Sequence, residues 1–124
     1  MKYLIIFSSL LFVFSSCRDR ERKIVNSDYG DYSLTILKID NEIYLINREY
    51  KSDNKPQNDF ILNNGGVEYY TGLINWSENS TNIYTTYGVY DTTKADKRLK
   101  LTRVSTSEFE KLKKDSSNYK YFYY

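Results

Sequence analysis

Histidine is absent from this chain, and cysteine occurs only once, at Cys17. Without histidine the chain lacks a residue needed for a Ser-His-Asp triad, and a single cysteine excludes an internal disulfide and a multi-cysteine zinc site. Proline and glycine are scarce, with 1 and 5 residues, whereas tyrosine occurs 14 times. Tyrosine is enriched in β-strands. We therefore expect a strand-rich protein that is not an enzyme of the common hydrolytic classes and carries no cofactor or metal.

The amino-terminal segment has the order of charges and apolar residues that is typical of an export signal. Lys2 precedes an apolar run over residues 3–14, Ser15 and Ser16 follow, and the charged run 18–23 begins directly after Cys17. The apolar run is too short to span a bilayer, which takes about 20 residues. It has a suitable length for the apolar region of a signal peptide.

This order resembles the lipobox of bacterial lipoproteins, and the resemblance covers residues 1–17. It implies that residues 1–16 are removed, that Cys17 carries a lipid, and that the protein is anchored on the extracytoplasmic side of the cell envelope. Arg18, rather than aspartate, after the cysteine favours the outer membrane if the cell is Gram-negative. The alternative is a general secretory signal with an incidental cysteine, or a buried structural thiol.

Removing 16 of the 124 residues leaves 108, which corresponds to one domain. With 40% hydrophobic and 27% charged residues, the composition is that of a globular protein rather than a disordered one. Residues 18–27 are polar and lack periodicity, so we expect a lipidated cysteine and polar tether over 17–27. A single β-rich domain should then occupy residues 28–124.

Alternating apolar residues predict strands through most of this domain. The segments 32–39 and 42–48 flank Asp40-Asn41 and predict a β-hairpin. Its apolar face should be formed by Leu34, Ile36, Ile43 and Leu45. Further strands are expected at residues 60–62, 67–76, 83–90, 99–104 and in the aromatic C-terminal segment 119–124. The pattern predicts an α+β fold, mainly antiparallel, with a single meander-like sheet of about five to six strands.

One short helix is predicted at about residues 106–114. Ser105 has the position of an N-cap and Glu108 that of its capping-box partner. Phe109 and Leu112 lie on one face and should dock the helix on the sheet. Beyond the leader, the chain loosely resembles small uncharacterised bacterial lipoproteins, in which a polar strand-rich region leads to a closing segment such as Ser107-Glu108-Phe109. That resemblance implies no activity.

A candidate ligand platform surrounds the single tryptophan. Trp76, with Tyr69, Tyr70 and Asn75, combines aromatic faces and an amide, a combination that suits a sugar. The alternative is that Trp76 is a core residue, and the closing tyrosines are likewise read as strand residues rather than a binding surface.

Metal and catalytic motifs are weak. Asp28 and Asp31 could bind calcium, but acids at this spacing are more often turn residues. The loop from Asp91 fails as an EF-hand because Asp96 stands where glycine is required and Thr102 where glutamate is required. A glycosidase needs only two carboxylates, so a small carboxylate-based hydrolase remains an alternative.

Charge is unevenly distributed along the chain. Residues 24–93 carry 10 acidic and 4 basic side chains, whereas residues 94–124 carry 4 acidic and 9 basic ones. Either folding mixes them, or the molecule presents a charged face to a partner. Our leading hypothesis is a non-catalytic binding module with a protein or glycan partner in the envelope. A toxin-neutralising immunity-type lipoprotein is the alternative. The pI of about 8.5 is too mild to favour a nucleic acid.

Overall fold

The computed structural model describes residues 20–28, 30–64 and 71–123. Within these residues the chain forms nine strands and one helix. The strands are β1 (Arg20–Asn26), β2 (Ser33–Ile39), β3 (Glu42–Ile46), β4 (Phe60–Asn63), β5 (Thr71–Ser77), β6 (Ser80–Thr85), β7 (Tyr90–Asp91), β8 (Leu99–Arg103) and β9 (Lys120–Tyr123). Helix α1 (Thr106–Lys114) lies between β8 and β9. The predicted α+β class with mainly antiparallel strands is confirmed.

The strands form two sheets, so the prediction of a single meander-like sheet is wrong. The first sheet has the order β1-β2-β3-β4-β7, and the second has the order β8-β6-β5-β9. Neighbouring strands are antiparallel except β6 and β8, which are parallel. β2 and β3 carry apolar residues on both faces, and the second sheet covers the face that carries Leu34, Ile36, Ile43 and Leu45.

The inner faces of the two sheets pack together around one core, which we call the inter-sheet core. The predicted apolar face of the hairpin lies in it, as expected. Its buried members are Val25, Leu34, Ile36, Ile43, Leu45, Ile61, Ile74, Ile83, Leu99 and Phe122. Because residues from both sheets contribute, neither sheet can bury its apolar face without the other.

A second apolar cluster covers the outer face of the first sheet. Its buried members are Leu37, Ile39, Tyr44, Ile46 and Phe60. Residues 47–59, between β3 and β4, fold back over this face, and Tyr50 packs against the cluster. The Thr35 hydroxyl donates to the Arg48 carbonyl at 2.7 Å and accepts from the Tyr50 amide at 2.9 Å. Residues 47–59 therefore act as the cover of this cluster.

The predicted tether is wrong for residues 20–26, which form β1. Every residue of β1 pairs with a residue of β2, from Arg20 opposite Ile39 to Asn26 opposite Ser33. A run of charged residues at 20–23 hid this strand in the sequence, and Val25 is the buried residue among 21–26. Ser27, next in the chain, is also buried.

The locally signalled elements agree with the structure. Asp40 adopts φ 55° in the β2–β3 turn, and the antiparallel pairing of β5 with β6 is present, with its turn at Glu78-Asn79. Ser105 caps α1 by accepting a hydrogen bond from the Glu108 amide at 3.2 Å. Phe109 is the buried residue of α1, and the helix contacts β5.

Candidate functional site

The sandwich has two distinct ends, which the strand directions define. At the first, here called the N-terminal end, lie the start of β1, the Asp40-Asn41 turn, the connection 86–89 and the end of β9. At the opposite end, the cleft end, lie the β1–β2 connection, the end of β3, the Glu78-Asn79 turn and the connection 92–98. The chain therefore enters β1 at the N-terminal end, which is the end away from the loops of the cleft end.

A cleft of about 520 Å³ opens at the cleft end. Five segments that are separate in the sequence form its walls. The lining residues are Gly30, Asp31, Tyr32, Ser33, Asn47, Arg48, Glu49, Asp59, Glu78, Asn79, Ser80, Thr81, Asp96 and Arg98. Its size is within the range of small-ligand sites, and its lining is unusually polar for one.

Hydrogen bonds from Thr81 hold the floor of the cleft, one to the first sheet and one within the second. Thr81, on β6, is buried, and its hydroxyl donates to the side-chain oxygen of Asn47, the residue directly after β3, at 2.7 Å. The Thr81 amide donates to the Arg98 carbonyl at 2.6 Å. Tyr32 closes one wall, because its phenol donates to the Glu78 carbonyl at 3.3 Å.

Asp59 ties three segments together at the edge of the cleft. Its amide donates to the Lys94 carbonyl at 2.8 Å, and its carbonyl accepts from the Asn47 amide at 3.1 Å. One carboxylate oxygen accepts from the Asp96 amide at 3.1 Å. Asp59 makes these bonds with φ 53°, a conformation that aspartate tolerates better than most residues. We infer that Asp59 has a positioning role in the cleft.

The charge of the cleft is predominantly negative. Its lining contains the carboxylates of Asp31, Glu49, Asp59, Glu78 and Asp96 and the guanidinium groups of Arg48 and Arg98. All of these carboxylates except Asp59 belong to exposed residues. Glu49 has a cation beside it, since its carboxylate is 3.3 Å from the Lys51 ammonium. The excess of carboxylates favours a cationic ligand.

The predicted ligand platform is not assembled by the residues that the structure describes. Tyr69, Tyr70 and the predicted lipid-bearing Cys17 lie outside the described residues. Asn75 and Trp76 are neighbours on β5 and point to opposite faces. The Asn75 amide donates to the Asn118 carbonyl at 2.8 Å, whereas Trp76 is partly buried and packs against the inter-sheet core. Trp76 thus fits the alternative interpretation, that of a core residue.

The predicted acid pair of Asp28 and Asp31 is also divided. Asp28 is 3.5 Å from the Lys120 ammonium, on the β9 side, whereas Asp31 lines the cleft. In the described part of the chain, no cluster of three or more acidic, histidine or cysteine side chains is placed to hold a metal ion.

Sequence reasoning missed the cleft because its residues have the composition of ordinary turns. The signals were present in Gly30-Asp31-Tyr32 and Glu78-Asn79, but nothing in the sequence states that these turns meet. Only the pairing of β1 with β2, and the packing of β5 and β6 on that sheet, brings them to one end.

Comparison with known proteins gives no family for this chain: no family model matches it, and no curated protein or solved structure does either. Among residues 20–28, 30–64 and 71–123, no helix combines the length and apolar character needed to cross a membrane.

Proposed function

We propose that this chain is a bacterial envelope lipoprotein whose β-sandwich is a non-catalytic binding module. In this proposal, residues 1–16 are a signal peptide, Cys17 carries the lipid, and the polar cleft takes the ligand. The order of the leader residues supports the anchor, and the geometry of the cleft supports binding.

The position of the cleft relative to the anchor is the observation that carries the proposal. Only Arg18 and Asp19 separate Cys17 from β1. Three residue steps of extended chain reach at most about 11 Å, so the N-terminal end of the sandwich stays close to the lipid. β1 then runs for about 20 Å toward the cleft end. The cleft therefore faces away from the membrane, where a partner can reach it.

The charge of the cleft supports a protein partner with a lysine- or arginine-rich segment. Carboxylates outnumber guanidinium groups, and opposite charges accelerate and orient association. A glycan has less support, because Trp76, the residue best suited to stack on a sugar, packs on the inter-sheet core instead.

An immunity-type role is the second candidate. The acidic stretch of residues 28–59 contributes Asp31, Glu49 and Asp59 to the cleft. Such a cleft would neutralise a basic toxin surface by occupying it. This role uses the same site and the same charge complementarity as the leading proposal.

The test is a titration of the ¹⁵N-labelled domain, starting at residue 18, followed by NMR. The probes are a short peptide of alternating lysine and glycine, its glutamate counterpart, and an N-acetylglucosamine oligomer. We expect the lysine peptide alone to shift amide resonances that line the cleft. The shifts should weaken in the Asp31→Asn, Glu78→Gln double variant, and at about 1 M salt, where the Debye length is about 3 Å.

The matched control is Glu110→Gln, which removes one exposed carboxylate on α1, outside the cleft. It should leave the titration unchanged. Shifts confined to other surfaces, or shifts that survive both the double substitution and high salt, would contradict the cleft as the binding site. A response to the sugar oligomer alone would contradict the proposed ligand class.

A further inference from the structure

Large apolar side chains are exposed at the N-terminal end of the sandwich. Tyr87, Val89 and Tyr123 are exposed by 59%, 64% and 62% of their surfaces. Tyr121, also exposed, adjoins Tyr123, with ring centroids 6.1 Å apart. Tyr87 and Val89 lie beside β8 and Tyr123 lies on β9, so exposed apolar side chains occur at both edges of this end, which makes the end a candidate contact surface.

The fold holds the segment that presents Tyr87 and Val89 in a defined conformation. Residues 86–89 connect β6 of the second sheet to β7 of the first. The Tyr90 phenol donates to the Tyr87 carbonyl at 2.8 Å, and the Arg103 guanidinium donates to the Gly88 carbonyl. Gly88 adopts φ 131°, and a Cβ there would lie 2.6 Å from the Tyr90 hydroxyl oxygen. Two exposed apolar side chains therefore flank a glycine that cannot readily be replaced.

Cations accompany these side chains. The Lys23 ammonium lies 4.4 Å from the centroid of the Tyr123 ring and donates to the Tyr123 carbonyl at 3.3 Å. Arg103 is exposed beside residues 86–89. Tyrosine at the level of the lipid headgroups, with lysine and arginine attracted to anionic lipid, is the composition of a membrane interface.

We propose that this end of the sandwich rests on the bilayer, with Tyr87, Val89 and Tyr123 in the headgroup region, so that the cleft is held facing outward. The inference rests on the proposed lipid at Cys17. That residue is three positions before β1, so the bilayer is within about 11 Å of the N-terminal end and is the surface that these side chains meet. The lipid on Cys17 would hold the protein at the bilayer, and this contact would fix the orientation of the sandwich on it.

Site-directed spin labelling of the full lipidated protein tests this directly. Cys17 is the sole cysteine, and its sulfur is occupied by lipid, so an added cysteine is the one free thiol. Labels are placed at Asn41→Cys and Val89→Cys at the N-terminal end, and at Asn79→Cys at the cleft end. The protein is reconstituted in vesicles of phosphatidylethanolamine and phosphatidylglycerol. Collisions with oxygen report contact with lipid, and collisions with a nickel chelate report contact with water.

We expect the label at Val89→Cys to have a severalfold higher ratio of oxygen to nickel collisions than the label at Asn79→Cys. In the Asn41→Cys background, replacing Tyr87 and Tyr123 with serine should lower that ratio. The matched control Tyr32→Ser, which removes an exposed tyrosine at the cleft end, should leave it unchanged.

Equal ratios at the two ends in lipidated protein would overturn the inference and leave the anchor intact. A label at the N-terminal end that contacts water in lipid vesicles, and becomes immobilised only in native membranes, would assign this end to a protein partner and also overturn it. A protein without lipid that stays in the aqueous phase would overturn the proposed function and this inference together.

Discussion

Gly72 occupies a position in which any larger residue should disturb the inter-sheet core. It lies on β5, directly opposite Phe122 on β9. A Cβ at this position would lie 2.5 Å from Cζ and 2.7 Å from Cε1 of the Phe122 ring. Phe122 is 1% exposed and belongs to the inter-sheet core, so its ring is surrounded by packed side chains. Gly72→Ala should therefore force the ring, or β9 itself, to move.

The expected loss is about 1 to 3 kcal/mol, the usual cost of adding a methyl group to a packed core. For a domain of this size, each kcal/mol lowers the melting temperature by about 4 to 8 °C. The loss should appear in urea denaturation of the domain that starts at residue 18, followed by circular dichroism. Because β9 is the edge strand of its sheet and, within the described residues, pairs with β5 alone, part of the strain can be relieved by detachment of β9.

A double variant separates this clash from the general effect of alanine. Phe122→Leu alone should destabilise the domain by leaving a cavity. In the Gly72→Ala background the same substitution should cost less, because the shorter side chain leaves room for the methyl group. If the double variant loses less stability than the sum of the two single losses, by at least about 0.5 kcal/mol, the two positions are coupled. Gly72→Ala with the stability of the wild type, or strict additivity, would refute the packing of Phe122 on β5.

Three further predictions concern pH and capping. Burial raises the pKa of the Tyr44 phenol above its ordinary value of 10.0, and the 2.5 Å hydrogen bond to Glu42 raises it further. The stability that Tyr44 contributes below pH 10 should therefore be lost as the pH rises above it. In urea titrations at alkaline pH, Tyr44→Phe should show a smaller loss of stability. Hydrogen bonds to the Asp115 carboxylate, the largest effect coming from the Asn118 side chain, lower the pKa of Asp115 below 3.8. The stability that this carboxylate contributes above pH 3.8 should therefore be lost on acidification. Asp115→Asn should make the stability of the protein less dependent on pH in the acidic range. Ser105→Ala should cost about 0.5 to 2 kcal/mol in thermal unfolding, and Ser105→Asp should restore most of it.

Each of these has a contradicting result. An alkaline fall of the same size in Tyr44→Phe would place the responsible group elsewhere. An unchanged acid limb in Asp115→Asn would mean that the turn after α1 does not stabilise the carboxylate. Equal melting temperatures for Ser105→Ala and the wild type would mean that the cap is absent in solution.

Local signals predicted the elements whose formation depends on neighbouring residues. Asp40-Asn41 defined the hairpin turn, and the spacing of Ser105 and Glu108 placed α1 at the bounds that it has. β1 was missed because it begins with a run of charged residues and lacks an apolar stripe, and it forms through pairing with β2. The stability of β1 depends on the sheet as a whole, so the residues of β1 alone do not indicate a strand.

The two-sheet arrangement and the cleft could not be predicted for a related reason. Apolar residues on both faces of β2 and β3 are compatible with a sheet covered by a helix, by a loop or by another sheet. In the structure a second sheet covers one face and a loop, residues 47–59, covers the other. The cleft joins turns near residues 31, 48, 79 and 97, which only the topology brings together.

The most direct test of the account is the intact mass of the protein recovered from bacterial membranes, for the wild type and for Cys17→Ala, together with detergent partitioning. We expect a mature chain that begins at Cys17 and carries a diacyl or triacyl group, and we expect the alanine variant to lose both the lipid mass and the detergent-phase partitioning. Wild-type protein that is soluble and unmodified would contradict the anchor, and with it the orientation of the cleft away from the membrane.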